Sequence, residues 1–280
     1  MSVTRDTNND QMALWNGAAG RGWVEAREAI DRMFKPFEDL LVEAVPRGSR
    51  GPVLDIGCGT GATTLAVVRA LDTNGRATGI DISEPMLAAA RARAEREHAR
   101  AEFILADAQD YPFEAASVET IVSRFGVMFF DDPVRAFANL RRAAKNGGRL
   151  RFLAWRSAAE NPFMTTAERA AAPLLPELPV RQPDAPGQFA FGDGNRIRTI
   201  LEESGWSGIE IRPLDVDCTL SAEDLNRYLT LLGPVGRILQ DADERTRSTV
   251  LETVRAAFDP FVHAGEVRYT AACWLVDARA

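Results

Sequence analysis

Lysine is almost missing from this 280-residue sequence: only Lys35 and Lys145 stand among its 33 basic residues, against 40 acidic ones and a formal net charge of -7. Acids and arginines are interspersed, so no basic stripe is available to track a phosphate backbone, and a nucleic-acid partner is disfavoured. Alanine richness with arginine in place of lysine is the composition of a GC-rich bacterial genome and says nothing about chemistry. Cysteine is scarce too. Cys58, Cys218 and Cys273 are far apart, odd in number and without paired spacing to a histidine, which indicates neither a disulfide framework nor a zinc site, and no metal is expected. The only histidines, His98 and His263, lie on a charged helix and near a helix end, and neither is an obvious general base. No apolar run is long enough to span a bilayer, and Met1–Gln11 lacks the basic start and apolar stretch of a secretory signal. A cytoplasmic protein without a membrane partner is expected. Internal repeats and low-complexity tracts are also absent, while 46% hydrophobic content is ordinary for a chain that buries a core.

What is present has a clear order. Trp15 to Ala44 carries Trp23, Ile30, Phe34, Phe37 and Leu41 at helical spacing, predicting helices that cap the sheet to come. Strand-like runs then alternate with helical ones: Pro52 to Ile56, a helix over Ala62 to Leu71, Arg76 to Ile80, a helix from Pro85, Ala101 to Leu105, Val118 to Ser123, a helix from Pro133, and Arg149 to Ala154. Such alternation predicts an α/β fold, a parallel sheet covered by helices on both faces. From Arg156 to Phe191 the prolines 162, 173, 176, 179, 183 and 186 make at least the second half a loop or lid. A short helix near Asn195 to Ser204, a strand near Gly208 to Val216, two helices within Ser221 to Phe261 and a last strand from Val267 to Val276 complete the expectation. The simplest organisation is one domain over 1–280, with a helical cap (1–49), a core (50–155), a lid (156–192) and a C-terminal part of the sheet (193–280) that carries a helical insertion (219–264).

The strongest local signal is Val53-Leu54-Asp55-Ile56-Gly57-Cys58-Gly59-Thr60-Gly61, an apolar strand ending in an acid and a glycine triplet that opens into a helix. Glycines let the backbone turn sharply and approach a ligand that side chains would hold away. The acid decides between cofactors. A dinucleotide places its pyrophosphate at such a turn, where Asp55 would repel it, and its usual pattern wants a third glycine at the position of Ala62. S-adenosylmethionine (SAM) carries no phosphate, and its sulfonium and ammonium suit a carboxylate. Asp81 ends the next strand, where it can accept from both ribose hydroxyls, and Asp107 ends the third, where it can accept from an adenine amino group. Any one of these acids alone would be read as a helix cap or a solvated group; three in this order beside the glycine turn make an acidic crevice. Asp131-Asp132-Pro133 reads as a helix cap and not as metal ligands.

With these residues in place, the run from Val53 to Trp155 resembles the class I SAM-dependent methyltransferases, and among them the small-molecule group that includes the ubiquinone/menaquinone biosynthesis enzymes. Asp55 to Gly61 match the first motif, Asp81 the ribose-binding acid, Ala106-Asp107-Ala108 the adenine-binding motif and Ser123 to Phe130 the segment after the fourth strand. Asn146-Gly147-Gly148 matches the proline-glycine-glycine turn before the fifth strand, with Asn146 in place of the proline. The resemblance implies a Rossmann-like, seven-stranded, mostly parallel sheet with its last strand antiparallel, and SAM as cofactor, leaving S-adenosylhomocysteine as product. It implies a cofactor site made of Asp55, Gly57, Cys58, Gly59, Gly61, Asp81, Ile82, Met86, Asp107, Ala108, Ser123, Arg124 and Phe125, with Trp15 and Trp23 of the cap closing over the methionine moiety. Arg124 holds the SAM carboxylate, faces substrate or pairs with a nearby acid; all three remain open.

Because the methyl group of SAM is already activated, alignment and exclusion of water are the protein's main tasks, and the catalytic assignment stays open. Phe125, Met128, Phe129, Trp155, Phe163, Met164, Phe189, Phe191 and Tyr228 are candidates to line an acceptor space suited to a small, partly apolar molecule, more than half of them being expected to pack in the core or lid instead. The segment after the fourth strand lacks the Asn/Asp-Pro-Pro-aromatic motif of many amine methyltransferases, which tilts the acceptor atom toward oxygen or carbon and leaves nitrogen open. Two rivals remain: a SAM-binding protein of the same fold that does not transfer a methyl group, as a regulator or a cyclase-type enzyme, and, less favoured, an NAD(P)-dependent oxidoreductase. Acceptor, oligomeric state and pathway are beyond the sequence.

Overall fold

The computed structural model describes residues 7–46, 48–182 and 184–280; the first six residues of the expected cap, Arg47 and Pro183 of the expected lid lie outside the described residues. Four helices come first: α1 (Thr7–Asn16), α2 (Ala18–Glu25), α3 (Arg27–Met33) and α4 (Lys35–Val42). The alternating part follows as β1 (Val53–Ile56), α5 (Ala62–Ala70), β2 (Ala77–Asp81), α6 (Glu84–Arg96), β3 (Ala101–Leu105), β4 (Val118–Arg124), α7 (Pro133–Ala143) and β5 (Ala144–Trp155). The remainder holds α8 (Pro162–Ala171), α9 (Gly194–Glu203), β6 (Ser207–Ser221), α10 (Ala222–Leu231), α11 (Gly233–Asp241), α12 (Glu244–Ala257), β7 (Val262–His263) and β8 (Glu266–Arg279).

The sheet order is β3-β2-β1-β4-β5-β8-β6, with the short β7 paired to β8. Strands β1 to β5 pair in parallel, whereas β8 runs antiparallel to both β5 and β6, as expected for the last strand. Sheet faces can be read from β5. Arg151 donates to Leu40 O of α4 at 3.1 Å, while the neighbouring Phe152 packs its ring 5.5 Å from Phe137 of α7. Successive strand residues point to opposite faces, so α4 and α7 cover the sheet from opposite sides. β1 is buried at all four positions, as befits a central parallel strand with no exposed face.

Local chemistry explains the helix starts. Pro133 occupies the first turn of α7, and Asp132 accepts from Arg135 N, so the Asp-Pro pair is a cap, as expected. Among the described residues no group of His, Cys, Asp and Glu is placed to hold a metal. No helix among them is long and apolar enough to cross a membrane.

Several boundaries differ from the sequence expectation. The Asn146-Gly147-Gly148 turn does not precede the fifth strand but lies inside β5, where Gly147 (φ +73°) forms an irregularity between the pairs Val118/Ala144 and Thr120/Arg149. Gly147 N donates to Ala280 O and Ala280 N to Gly148 O, so the bulge is held by the chain end beside it. The segment 219–264 contains three helices and not two, because Gly233 at φ +70° breaks what reads as one apolar stretch into α10 and α11. The first half of the lid is helical (α8), and the second half, as expected, has no long element.

The cap, lid and insertion meet above the strand ends. Gly22 of α2 lies so close to Leu231 O at the end of α10 that a Cβ would approach it to 2.4 Å. Arg32 of α3 pairs with the buried Asp224 of α10 at 2.7 Å. Phe163 of α8 stacks on Tyr269 of β8 at 3.8 Å, with Phe258 and Phe261 edge-on at 5.1 and 5.2 Å. This aromatic cluster fixes lid to insertion.

Candidate active site

At the carboxyl end of β1 the chain turns through Gly57 (φ +65°) and Gly59 (φ +54°), and at Gly61 (φ +83°) it enters α5. Gly57 and Cys58 both donate to Ile80 O, and Gly61 N donates to Cys58 O, which fastens the turn to β2. Two of the glycines have different reasons for being glycine. A Cβ on Gly57 would stand 2.6 Å from Gly126 Cα, since the segment after β4 crosses directly over the turn; a Cβ on Gly61 would meet Ala90 and Phe103 at 2.9 and 3.1 Å. Gly57 therefore serves the crossing of two backbones and Gly61 the packing of helix on strand.

The turn forms one wall of a cavity of about 360 Å³ at the carboxyl ends of the strands. It sits where the strand order reverses between β1 and β4, the place at which open α/β sheets bind ligands. Of the residues singled out from sequence, Gly57, Cys58, Gly59, Asp81, Ile82, Met86, Asp107, Ala108, Arg124, Phe125, Trp15 and Trp23 all line it. Asp55, Gly61 and Ser123 do not: they stand behind the wall. Ser123 is fully buried, donates to Ile56 O at 2.8 Å and accepts from Gly126 N and Val127 N, so it ties β4 to β1 and shapes the crossing.

The charges are unevenly satisfied. Asp81 Oδ2 accepts from Gly59 N at 2.8 Å and Oδ1 from Ser83 N at 2.9 Å, so the carboxylate is held rigidly facing the cavity. Burial raises its pKa, and those backbone donors oppose the rise. Asp107 Oδ1 accepts from Gln109 N at 2.8 Å. Asp55, 1% exposed, accepts from Thr64 Oγ1 at 2.6 Å through Oδ2, while its Oδ1 has no partner in the protein. Burial pushes its carboxyl up to about 7, with Thr64 and Arg124 opposing. Arg124 lies 5.7 Å over the Phe34 ring, its Nη1 is buried without a partner, and burial lowers its pKa. A buried carboxylate oxygen and a buried guanidinium nitrogen, both unsatisfied beside one cavity, are where a zwitterionic ligand group would be stabilised.

A stability consequence follows from Asp55. Its folded value near 7 lies above the ordinary 3.8, so between those limits the folded protein holds a proton that the unfolded chain has released. The associated stability is complete below about pH 4 and is lost as the pH rises to about 7. In the ligand-free protein, Asp55→Asn is expected to flatten the decline of Tm across that window, and scanning calorimetry at pH 5 to 8 checks this. Parallel curves for parent and variant would place the proton elsewhere.

Six of the nine aromatic and methionine candidates (Phe125, Met128, Phe129, Trp155, Met164 and Tyr228) line the cavity, and four of these, Phe125, Met128, Trp155 and Met164, belong at the same time to the buried core, as Phe163 and Phe191 do. Phe163, Phe189 and Phe191 do not line the cavity, being engaged with Tyr269, Arg181 and Phe152. Phe125 adopts φ +66° and stacks on Trp155 at 4.5 Å; a bulky residue held in the left-handed region next to a site is strain that its neighbours must maintain. Trp15 is edge-on to Trp23 at 6.0 Å and to Phe129 at 5.3 Å. Its carbonyl accepts from Ser83 Oγ, and Asn16 bonds Ile82 O and Glu84 N, so α1 is docked on the loop that follows β2. Sequence reasoning missed Ile30 and Met33 of α3, Phe34 just after it, Arg181 of the lid and Arg237 of α11, all lining residues, and Arg93, which joins Asp31 of α3 to Thr60 O in the turn. The helical period showed that α3 had an inner face; nothing in the sequence showed what that face would meet.

Comparison with known proteins agrees with this geometry. Residues 53–148, which hold the glycine turn and the strand-end acids, match the family model described as a methyltransferase domain. Among curated relatives, a ubiquinone/menaquinone biosynthesis C-methyltransferase of Rhizobium etli is 35% identical over 122 residues, 42% of this chain and 47% of that protein. The chain thus spans about half the length of the first curated relatives it matches. Among solved structures, phosphoethanolamine N-methyltransferase 2 of Haemonchus contortus, in complex with SAM, has a TM-score of 0.53 at 17% identity, covering 99% of this chain and 58% of that one. The [4+2]-cyclase SpnF has a TM-score of 0.52 at 20% identity, covering 87% and 79%. These structural likenesses establish the fold.

Proposed function

We propose that this protein transfers a methyl group from SAM to an oxygen, carbon or nitrogen atom of a small, partly apolar molecule. The observation that carries the reading is a single cavity at the strand ends that is lined both by the carboxylates Asp81 and Asp107 and by aromatic side chains of cap, strand ends and insertion. SAM, when bound, supplies a methyl group already activated by a positively charged sulfur.

The residues present fit that cofactor. Asp81, held by Gly59 N and Ser83 N, is assigned to the ribose hydroxyls, Asp107 with Ala108 to the adenine amino group, and Ile82 and Met86 to the faces of the ring. Gly57, Cys58 and Gly59 let the backbone come close, while Gly61 and Ser123 hold that backbone from behind. Arg124 Nη1 is assigned to the methionine carboxylate, and Asp55, from beneath the turn, to the field that favours the ammonium group. Trp15, Trp23 and Phe125 exclude water from the methionine moiety, and the aromatic wall orients the acceptor. No side chain is assigned as a base, which this chemistry requires only when the acceptor must first lose a proton.

The test has two stages. Calorimetric titration with SAM, S-adenosylhomocysteine and NAD is expected to show binding of the first two alone; binding of NAD without SAM sinks the reading. Incubation with methyl-labelled SAM and a panel of phenols, quinols and aromatic acids should then yield S-adenosylhomocysteine in step with a labelled product. Conversion of an added substrate without S-adenosylhomocysteine would move the protein to the cyclase-type use of the fold.

A further inference from the structure

Resting on the methyltransferase reading, we infer that the acceptor carries a carboxylate, and that Arg237 of α11, with the Tyr228 hydroxyl, receives it on the side of the cavity built by the lid and the insertion.

Two arginines line that side, Arg181 and Arg237, and they are not equivalent. Arg181 is paired: its Nη2 and Nε grip both oxygens of Glu168, at 2.5 and 3.0 Å, and its guanidinium lies 4.7 Å over the Phe189 ring. A bidentate pair of this kind leaves Glu168 with little capacity for a second cation. Arg237 is half-buried, and among the described residues it makes neither a hydrogen bond nor an ion pair. Burial lowers its pKa, with the attraction of Glu168 opposing.

Tyr228 adds a second unmet donor on the same side. It lines the cavity, and its hydroxyl finds only the thioether of Met164, at 3.6 Å, a weak acceptor. Around them Leu231, Leu232 and Pro234 are apolar, and neither the guanidinium nor the phenol hydroxyl has an oxygen or nitrogen acceptor among the described residues. Half-buried donors among apolar neighbours are matched by an acceptor when a ligand fills the site and displaces water. Two arginines against one glutamate leave a single positive charge, which suits a monoanion. The acids of the cavity, Asp81, Asp107 and Asp131, belong to the strand-end side, where they would repel a carboxylate. The polarity of the cavity therefore orients such an acceptor, with its anionic end under α11 and the rest of the molecule along the aromatic wall.

Isosteric probes separate charge from shape. 2-Naphthoate and 2-naphthamide, titrated calorimetrically into protein saturated with S-adenosylhomocysteine, are expected to differ roughly tenfold or more in Kd in favour of the carboxylate. Arg237→Gln is expected to erase that preference while S-adenosylhomocysteine affinity stays unchanged, and Tyr228→Phe to reduce it in part. Equal affinity for the two probes, absence of binding by both, or a preference that survives Arg237→Gln overturns the inference. Failure of the parent protein to bind S-adenosylhomocysteine, by contrast, strikes the methyltransferase reading itself. The comparison of probes on the parent protein needs no variant, so a folding defect in either substitution leaves the test standing.

Discussion

Replacing Asp81 by alanine is expected to weaken S-adenosylhomocysteine binding about a hundredfold, close to 3 kcal/mol, measured by calorimetric titration. The proposed ribose contacts are charge-assisted, and each such hydrogen bond contributes about 1.5–3 kcal/mol. Alanine also frees Gly59 N and Ser83 N, which now donate to the carboxylate at 2.8 and 2.9 Å, so the turn and the loop after β2 lose a shared anchor. Asp81→Asn separates the two contributions, because an amide oxygen keeps one acceptor for the turn while the charge is lost. An alanine variant that binds within a few-fold of the parent would remove Asp81 from the ribose site and leave it a structural brace.

Gly57→Ala is expected to be the most damaging single methyl in the chain's chemistry-bearing part. At φ +65° an alanine costs about 1–2 kcal/mol in backbone strain alone. Its Cβ would also stand 2.6 Å from Gly126 Cα, a backbone atom that cannot rotate away, and the forced shift adds a further ~1–3 kcal/mol. The sum, about 3 kcal/mol, corresponds to a fall in Tm of about 5 °C for a chain of this size, together with loss of cofactor binding as the turn is pushed open. Gly147→Ala is the matched control. Gly147 has a similar φ, +73°, but nothing within 4 Å of the added methyl, so it should lose only the strain and none of the binding. Equal damage at both positions would show that the crossing of Gly57 and Gly126 is not tight in solution.

The contrast between those two glycines shows where sequence reading ended. Both announce a turn. Only Gly57 is crossed by another strand's continuation, and the partner, Gly126, stands 69 positions away in the segment after the fourth strand, whose sequence does not show that it crosses the turn. Asp55 teaches the same point differently. As a residue type after an apolar strand it read as an acid facing the cofactor, whereas the structure sets it behind the turn, 1% exposed, with one oxygen on Thr64 and the other unpartnered.

Strand and helix order from Val53 to Trp155 was legible because a buried parallel strand must be apolar throughout and a covering helix must repeat near 3.6 residues, and both are properties of consecutive residues. The glycine turn and the acids at successive strand ends were legible for the same reason: each follows directly on the strand that presents it. The three-helix division of the insertion was not, because one glycine at φ +70° decides it. Nor was the pairing of Arg181 with Glu168, which leaves Arg237 unpaired. Such pairings depend on which long side chains reach one another once lid and insertion have packed; Arg181 and Arg237 stand 56 positions apart, and nothing local shows which of them Glu168 will take. The sequence by itself therefore determined the Rossmann-like core and the kind of cofactor, since both rest on local pattern; the tertiary structure alone decided the shape and charge of the acceptor side, since these arise where cap, lid and insertion meet.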